Sequence, residues 1–111
     1  MHGYTRPGPE RMHLQVYSWA PGSAPVVAFR DGPYWSDKAP GHVADGDCRI
    51  YLDVPDGSRV YAQVTASSYL GHRSASYVPA TRSIQVTGWD HTGAALPGGF
   101  ALTVEVYPEV S

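Results

Sequence analysis

The stretch CRIYLDVPDGSRVYAQVTA, residues 48–66, decides the fold class. Cys48, Ile50, Leu52 and Val54 alternate with Arg49, Tyr51 and Asp53, and Val60, Ala62, Val64 and Ala66 alternate with Arg59, Tyr61, Gln63 and Thr65. Side chains along a strand point to opposite faces with period two, so each run reads as a half-buried strand. Between the runs, Pro55 fixes φ, Asp56 and Ser58 offer local side-chain acceptors, and Gly57 is free to take φ > 0. Together they predict a β-hairpin in which Val54 faces Val60, Leu52 faces Ala62 and Ile50 faces Val64. That register sets Tyr51 diagonal to Tyr61, roughly 7–8 Å away, on an outward face bordered by charges.

The same period recurs on both sides of this stretch. Met12, Leu14, Val16 and Ser18 form one set in residues 12–18, and a short apolar run covers Pro25 to Phe29 before the turn Arg30-Asp31-Gly32-Pro33. Ile84 and Val86 alternate within 81–89, and Phe100, Leu102, Val104 and Val106 alternate with Ala101, Thr103, Glu105 and Tyr107. Ala75 to Val78 reads as a short edge strand closed by Pro79, preceded by a polar, turn-like segment from Ser67 to Ser76. Tyr34 to Asp47 reads as the longest irregular segment, and Asp90-His91-Thr92-Gly93 as a turn. Strands of this length and spacing predict an all-β fold, a small antiparallel sandwich of immunoglobulin-like or jelly-roll-like type, with a small barrel as the alternative. Residues 1–11 read as a flexible N-terminal arm, 12–108 as a single β-domain and 109–111 as a tail.

Composition narrows the function classes. Only 16% of the residues are charged, well below the usual quarter, and Gly, Pro, Ser, Thr and Tyr fill the gap, which favours strands and turns. The net charge of −2 is interspersed, without the basic stripe that would hold a phosphate backbone, so nucleic acid is not an expected partner. No window has the length and apolarity of a membrane span, and the N-terminus lacks the apolar segment of a signal peptide. The expectation is synthesis in the cytoplasm without a signal peptide and no membrane partner, with a virion as one destination. Cys48 is the only cysteine, and its inward position marks it as a small buried hydrophobe.

Chemistry-bearing motifs are sparse. The five histidines are dispersed, and no serine sits in a nucleophile elbow. His42, Asp45 and Asp47 form a candidate metal cluster, set against the reading of Asp45-Gly46 as a turn; the expectation is no metal and no cofactor. The functional weight lies in eight tyrosines and three tryptophans, most of them at outward or loop positions. Tyrosine suits contacts that are apolar on one side and wet on the other. Tyr4, Tyr17, Trp35, Tyr51, Tyr61, Trp89 and Tyr107 are therefore the candidate binding residues. The pattern predicts a non-enzymatic β-domain that self-associates or docks on a larger assembly, such as a phage-type virion structural or decoration protein, through an aromatic sheet face and the arm. A carbohydrate-binding module that stacks sugar rings on Trp35 and Trp89 is the alternative, and a small hydrolase with a loop-built site the second.

Overall fold

The computed structural model describes residues 9–20, 23–44, 47–66, 71–95 and 98–108. Among the described residues eight strands form: β1 (Glu10–Ser18), β2 (Val26–Asp31), β3 (Gly41–Ala44), β4 (Asp47–Tyr51), β5 (Arg59–Ala66), β6 (Gly71–Val78), β7 (Ser83–Asp90) and β8 (Phe100–Tyr107). They make two four-stranded antiparallel sheets, ordered β2-β1-β8-β5 and β3-β4-β7-β6. The inward sets of both sheets meet in one core, so the fold is a sandwich and not a closed barrel. Tyr4 and the rest of residues 1–8, like residues 109–111, lie outside the described residues; β1 begins at Glu10, inside the stretch expected to be an arm.

The alternation does what period two requires. Met12, Leu14 and Val16 on β1, Cys48 and Ile50 on β4, Ile84 and Val86 on β7, and Phe100, Leu102, Val104 and Val106 on β8 are all buried. Burial of a side chain of this size contributes about 1.5–3 kcal/mol, and the sum over these positions drives the two sheets together. Val60, Ala62 and Val64 of β5 are only partly buried, because β5 is an edge strand whose inner face is covered on one side alone.

The predicted hairpin does not form. The turn is present, with the Ser58 amide donating to the Pro55 carbonyl at 3.2 Å, but β4 and β5 belong to different sheets. Both flanks of β4 are occupied, by β3 (His42 opposite Cys48) and by β7 (Ile50 opposite Ile84). β5 pairs instead with β8, Val60 opposite Val106 and Val64 opposite Leu102. Residues 52–58 are thus an arch from one sheet to the other. Leu52 has left the ladder: it bridges Trp35, and its amide donates to the Arg82 carbonyl at 2.8 Å. Leu52 and Val54 nonetheless stay buried, because the arch passes over the same core.

Two segments read as irregular also carry strands. Residues 34–47 contain β3, and β6 runs from Gly71, so the edge strand expected at 75–78 is eight residues long. The cause in β6 is a weak polarity contrast: His72, Ser74 and Ser76 face out while Arg73 and Ala75 face in. The turn at Asp90 forms as read, with the Gly93 amide donating to the Asp90 carbonyl at 3.0 Å and the Asp90 carboxylate accepting from the amides of Thr92 and Ala94.

Arg73 enters the core from β6. Its guanidinium carbon lies 5.2 Å from the Trp19 ring centroid and 5.1 Å from that of Phe100, and Nη2 donates to the Gly98 carbonyl at 3.0 Å. Trp19 and Phe100 meet edge to face at 5.8 Å, completing an aromatic cradle. Gly88 makes room for it, since a Cβ there would stand 2.6 Å from Arg73 Nη1. Burial lowers the Arg73 pKa, and the thiol of Cys48 opposes that shift. Burial likewise pushes the Cys48 thiol up to about 12, against the pull of the Arg73 charge and with Asp47 adding to the rise. A thiol held protonated in this way is a packing group and not a nucleophile.

Candidate functional site

The outward residues of β2-β1-β8-β5 form the first candidate surface. In antiparallel sheets, directly opposed residues share a face, so Tyr61–Glu105–Arg11 is one row, Gln63–Thr103–His13–Asp31 the next, and Thr65–Ala101–Gln15–Phe29 the one beyond. Tyr17 follows on the same side of β1. Tyr17 is 76% exposed, Phe29 and Tyr61 are each 55% exposed, and Val26 at the start of β2 matches them at 55%. Of the five large apolar or aromatic residues most exposed among the described residues, four therefore belong to this sheet and only Trp89 to the other.

Two shallow depressions mark this face. One, of about 570 Å³, lies among Arg11, His13, Tyr61, Gln63, Thr103 and Glu105. The other, of about 370 Å³, lies among Gln15, Tyr17, Ala28, Thr65 and Ala101. Tyr61 and Tyr107 pack edge to face at 5.8 Å, and Arg59 stands 5.0 Å from the Tyr107 centroid. Arg11 and Glu105 pair at 3.3 Å, and Arg59 is balanced by Asp31, so the face is nearly neutral although it is polar at its centre.

The second candidate is a groove between the sheets, on the side where β2 and β3 are the edges. On the opposite side β5 and β6 run alongside each other. Here the gap is instead spanned by residues 32–40. This connection is fastened by backbone bonds to the end of β4, Ser36 amide to Tyr51 carbonyl at 3.1 Å and Asp53 amide to Tyr34 carbonyl at 2.8 Å. It is fastened to β2 by Arg30, which donates to the Ser36 carbonyl at 2.8 Å and pairs with Asp37 at 3.4 Å. The Trp35 indole N–H donates to the Asp31 carbonyl at 2.8 Å, which fixes the plane of the ring. The groove holds about 340 Å³, with Leu14 and Ile50 at its floor.

The structure separates the residues that sequence put together. Tyr51 lies on β4 and Tyr61 on β5, in different sheets whose outer faces point away from each other, so the joint Tyr51–Tyr61 surface does not exist. Tyr61 is instead joined by Tyr107, while Tyr51 is covered by the Lys38 ammonium at 4.1 Å from its ring centroid. Trp35 opposes Leu52 at one end of the second sheet. Trp89 opposes His72 near its other end, seven or so residues along the strand direction and so about 20 Å away at roughly 3.3 Å per residue. The two tryptophans do not make one stacking platform. Of the metal candidate, Asp45 and the side chain of His42 lie outside the described residues, and Asp47 pairs through its backbone with Ala44. Among the described residues, no three His, Cys, Asp or Glu side chains cluster as metal ligands do.

Sequence reasoning missed Phe29 and Val26, because a β-branched apolar run on an edge strand reads the same as one in the core. It also missed Arg30 and Lys38, whose roles depend on where the 32–40 connection lies. Comparison with models of protein families, with curated proteins and with solved structures finds no match for this chain.

Proposed function

We propose that this is a non-enzymatic interaction domain that associates with a second copy of itself through the outer face of β2-β1-β8-β5. The observation that carries this reading is the concentration of Tyr17, Phe29 and Tyr61 on one outward sheet face. Large aromatic side chains left exposed on one sheet face supply area for a contact, and tyrosine is enriched among residues that dominate contacts. A second copy suits the charge pattern: the chain carries −2, yet the face pairs Arg11 with Glu105 internally, so two such faces meet without like-charge repulsion. β2 adds an edge whose outer backbone groups are unpaired within the sheet order, and two copies related by a two-fold axis could align there.

Light scattering across micromolar to millimolar concentration tests the reading. The expected result is a reversible dimer that Tyr61→Ser weakens by about thirtyfold, the effect of losing roughly 2 kcal/mol at a dominant contact. A strict monomer over that range, or a dimer indifferent to Tyr61→Ser, Phe29→Ser and Tyr17→Ser together, overturns it.

A further inference from the structure

We infer that the inter-sheet groove is a binding site for a small aromatic carboxylate, with the ring held between the sheets and the carboxylate at Arg30 and Lys38. The inference does not require self-association, although Phe29 of β2 lines the groove as well as lying on the outer sheet face. At about 340 Å³ the groove lies at the lower end of small-ligand pockets, roughly 300–1,000 Å³, and so has room for one ring and a short tail. Its walls are apolar: Leu14 and Ile50 below and Trp35 at the side.

The groove is also built before any ligand arrives. The backbone bonds from Ser36 and Asp53 hold residues 34–36 against β4, and the Trp35 N–H is already committed to Asp31, so the indole is a fixed wall. Fixed walls spare a ligand the entropy of ordering them.

The rim determines the ligand's charge. Two cations, Arg30 and Lys38, stand there against one carboxylate, Asp37, in a chain that is negative overall. Asp37 is fully exposed and meets Arg30 at 3.4 Å, a long contact in water that contributes little. A carboxylate arriving at the groove mouth competes for Arg30 Nη2 from a drier position, while Nη1 stays on the Ser36 carbonyl and keeps the wall in place. Lys38, over Tyr51 at 4.1 Å, stands ready on a flexible stem to complete the pair.

The test uses phenylacetate and its neutral amide, phenylacetamide, followed through the Trp35 indole N–H resonance, assigned with Trp35→Phe. The expected result is a saturable shift of that resonance by phenylacetate, with the amide binding at least about tenfold more weakly. Lys38→Gln, a change at an exposed side chain that leaves the fold intact, weakens phenylacetate roughly threefold or more, and Arg30→Gln weakens it further. Equal binding of acid and amide overturns the proposal. So does a shift that does not saturate, one that maps to Tyr17 and Tyr61 instead of Trp35, or phenylacetate binding that Lys38→Gln and Arg30→Gln leave unchanged.

Discussion

The outer face of β2-β1-β8-β5 presents Tyr17, Phe29 and Tyr61 to solvent, whereas that of β3-β4-β7-β6 presents one exposed aromatic, Trp89, among His72, Ser74, Ser76, Gln85 and Thr87. Both faces come from the same period-two alternation over the same core, so burial demands nothing different of them. Around Trp89 the second face carries short hydroxyl side chains that satisfy one another, as Ser74 and Thr87 do at 2.6 Å. Strand propensity alone, which favours aromatics on any strand, does not account for four of the five most exposed large apolar residues among the described residues lying on one sheet. This asymmetry is what supports the proposed self-association through the first sheet.

The largest effect that would break the comparison is loss of the device that joins the two sheets at one end. Arg73→Ala removes the side chain that reaches from β6 to Trp19, Phe100 and the Gly98 carbonyl. It is expected to destabilise the fold by about 3 kcal/mol in urea denaturation, through a void and a lost charged hydrogen bond. A value near zero would mean that the sheets are joined by their apolar residues alone.

Next comes the contrast itself. The combined variant Tyr17→Ser, Phe29→Ser, Tyr61→Ser is expected to weaken dimer formation at least about a hundredfold, while Ser74→Ala with Gln85→Ala changes it by less than about twofold. Equal effects from both faces would remove the distinction. Sedimentation equilibrium reads both variants.

The inner faces offer a pH test. The Cys48 thiol is raised in the folded state from 9.0 to about 12, so the folded chain keeps its proton where the unfolded chain releases it. The stabilisation is complete below pH 9 and is lost as pH rises towards 12. At pH 10 the expected loss is about 1.4 kcal/mol relative to pH 8, after subtracting the same difference measured for Cys48→Ala. Identical alkaline sensitivity of the two proteins would show that the thiol is not buried as described.

The smallest effect concerns the solvated face. Thr87→Val deletes an exposed hydroxyl pair and is expected to change stability by less than about 1 kcal/mol, with no effect on association. A larger loss would give that face a structural role of its own.

What the sequence made legible was which residues lie inside; what it hid was which sheet they belong to. Ile50 and Val64 share one core, as alternation implies, and parity requires no more, because inward sets on two facing sheets satisfy it as well as inward sets on one. The Pro55–Ser58 turn was equally legible, yet a tight turn serves an arch as readily as a hairpin, and only the occupied flanks of β4 decide between them. The same ambiguity affected the site. Placing Tyr51 beside Tyr61 followed from the hairpin and failed with it, whereas Tyr61 and Tyr107 came together because β5 and β8 are neighbours, a pairing across more than forty residues that no local pattern encodes. Arg73 was invisible for another reason: a lone arginine in a serine-rich stretch reads as solvated, and the room made by Gly88 exists only once β6 and β7 are paired.

The position of β8 has a consequence for how the molecule is assembled in time. It is the interior strand between β1 and β5, yet it is the last of the eight to leave the ribosome. Until it emerges, β1 and β5 have no common neighbour in the sheet. The first sheet therefore closes in a single late step, dominated by contacts distant in sequence, of the kind that makes folding slow. A nascent chain stalled just before Phe100 would expose sticky, unpaired strands, so chaperone dependence or aggregation should depend more on the completion of this strand than on any other stage of synthesis.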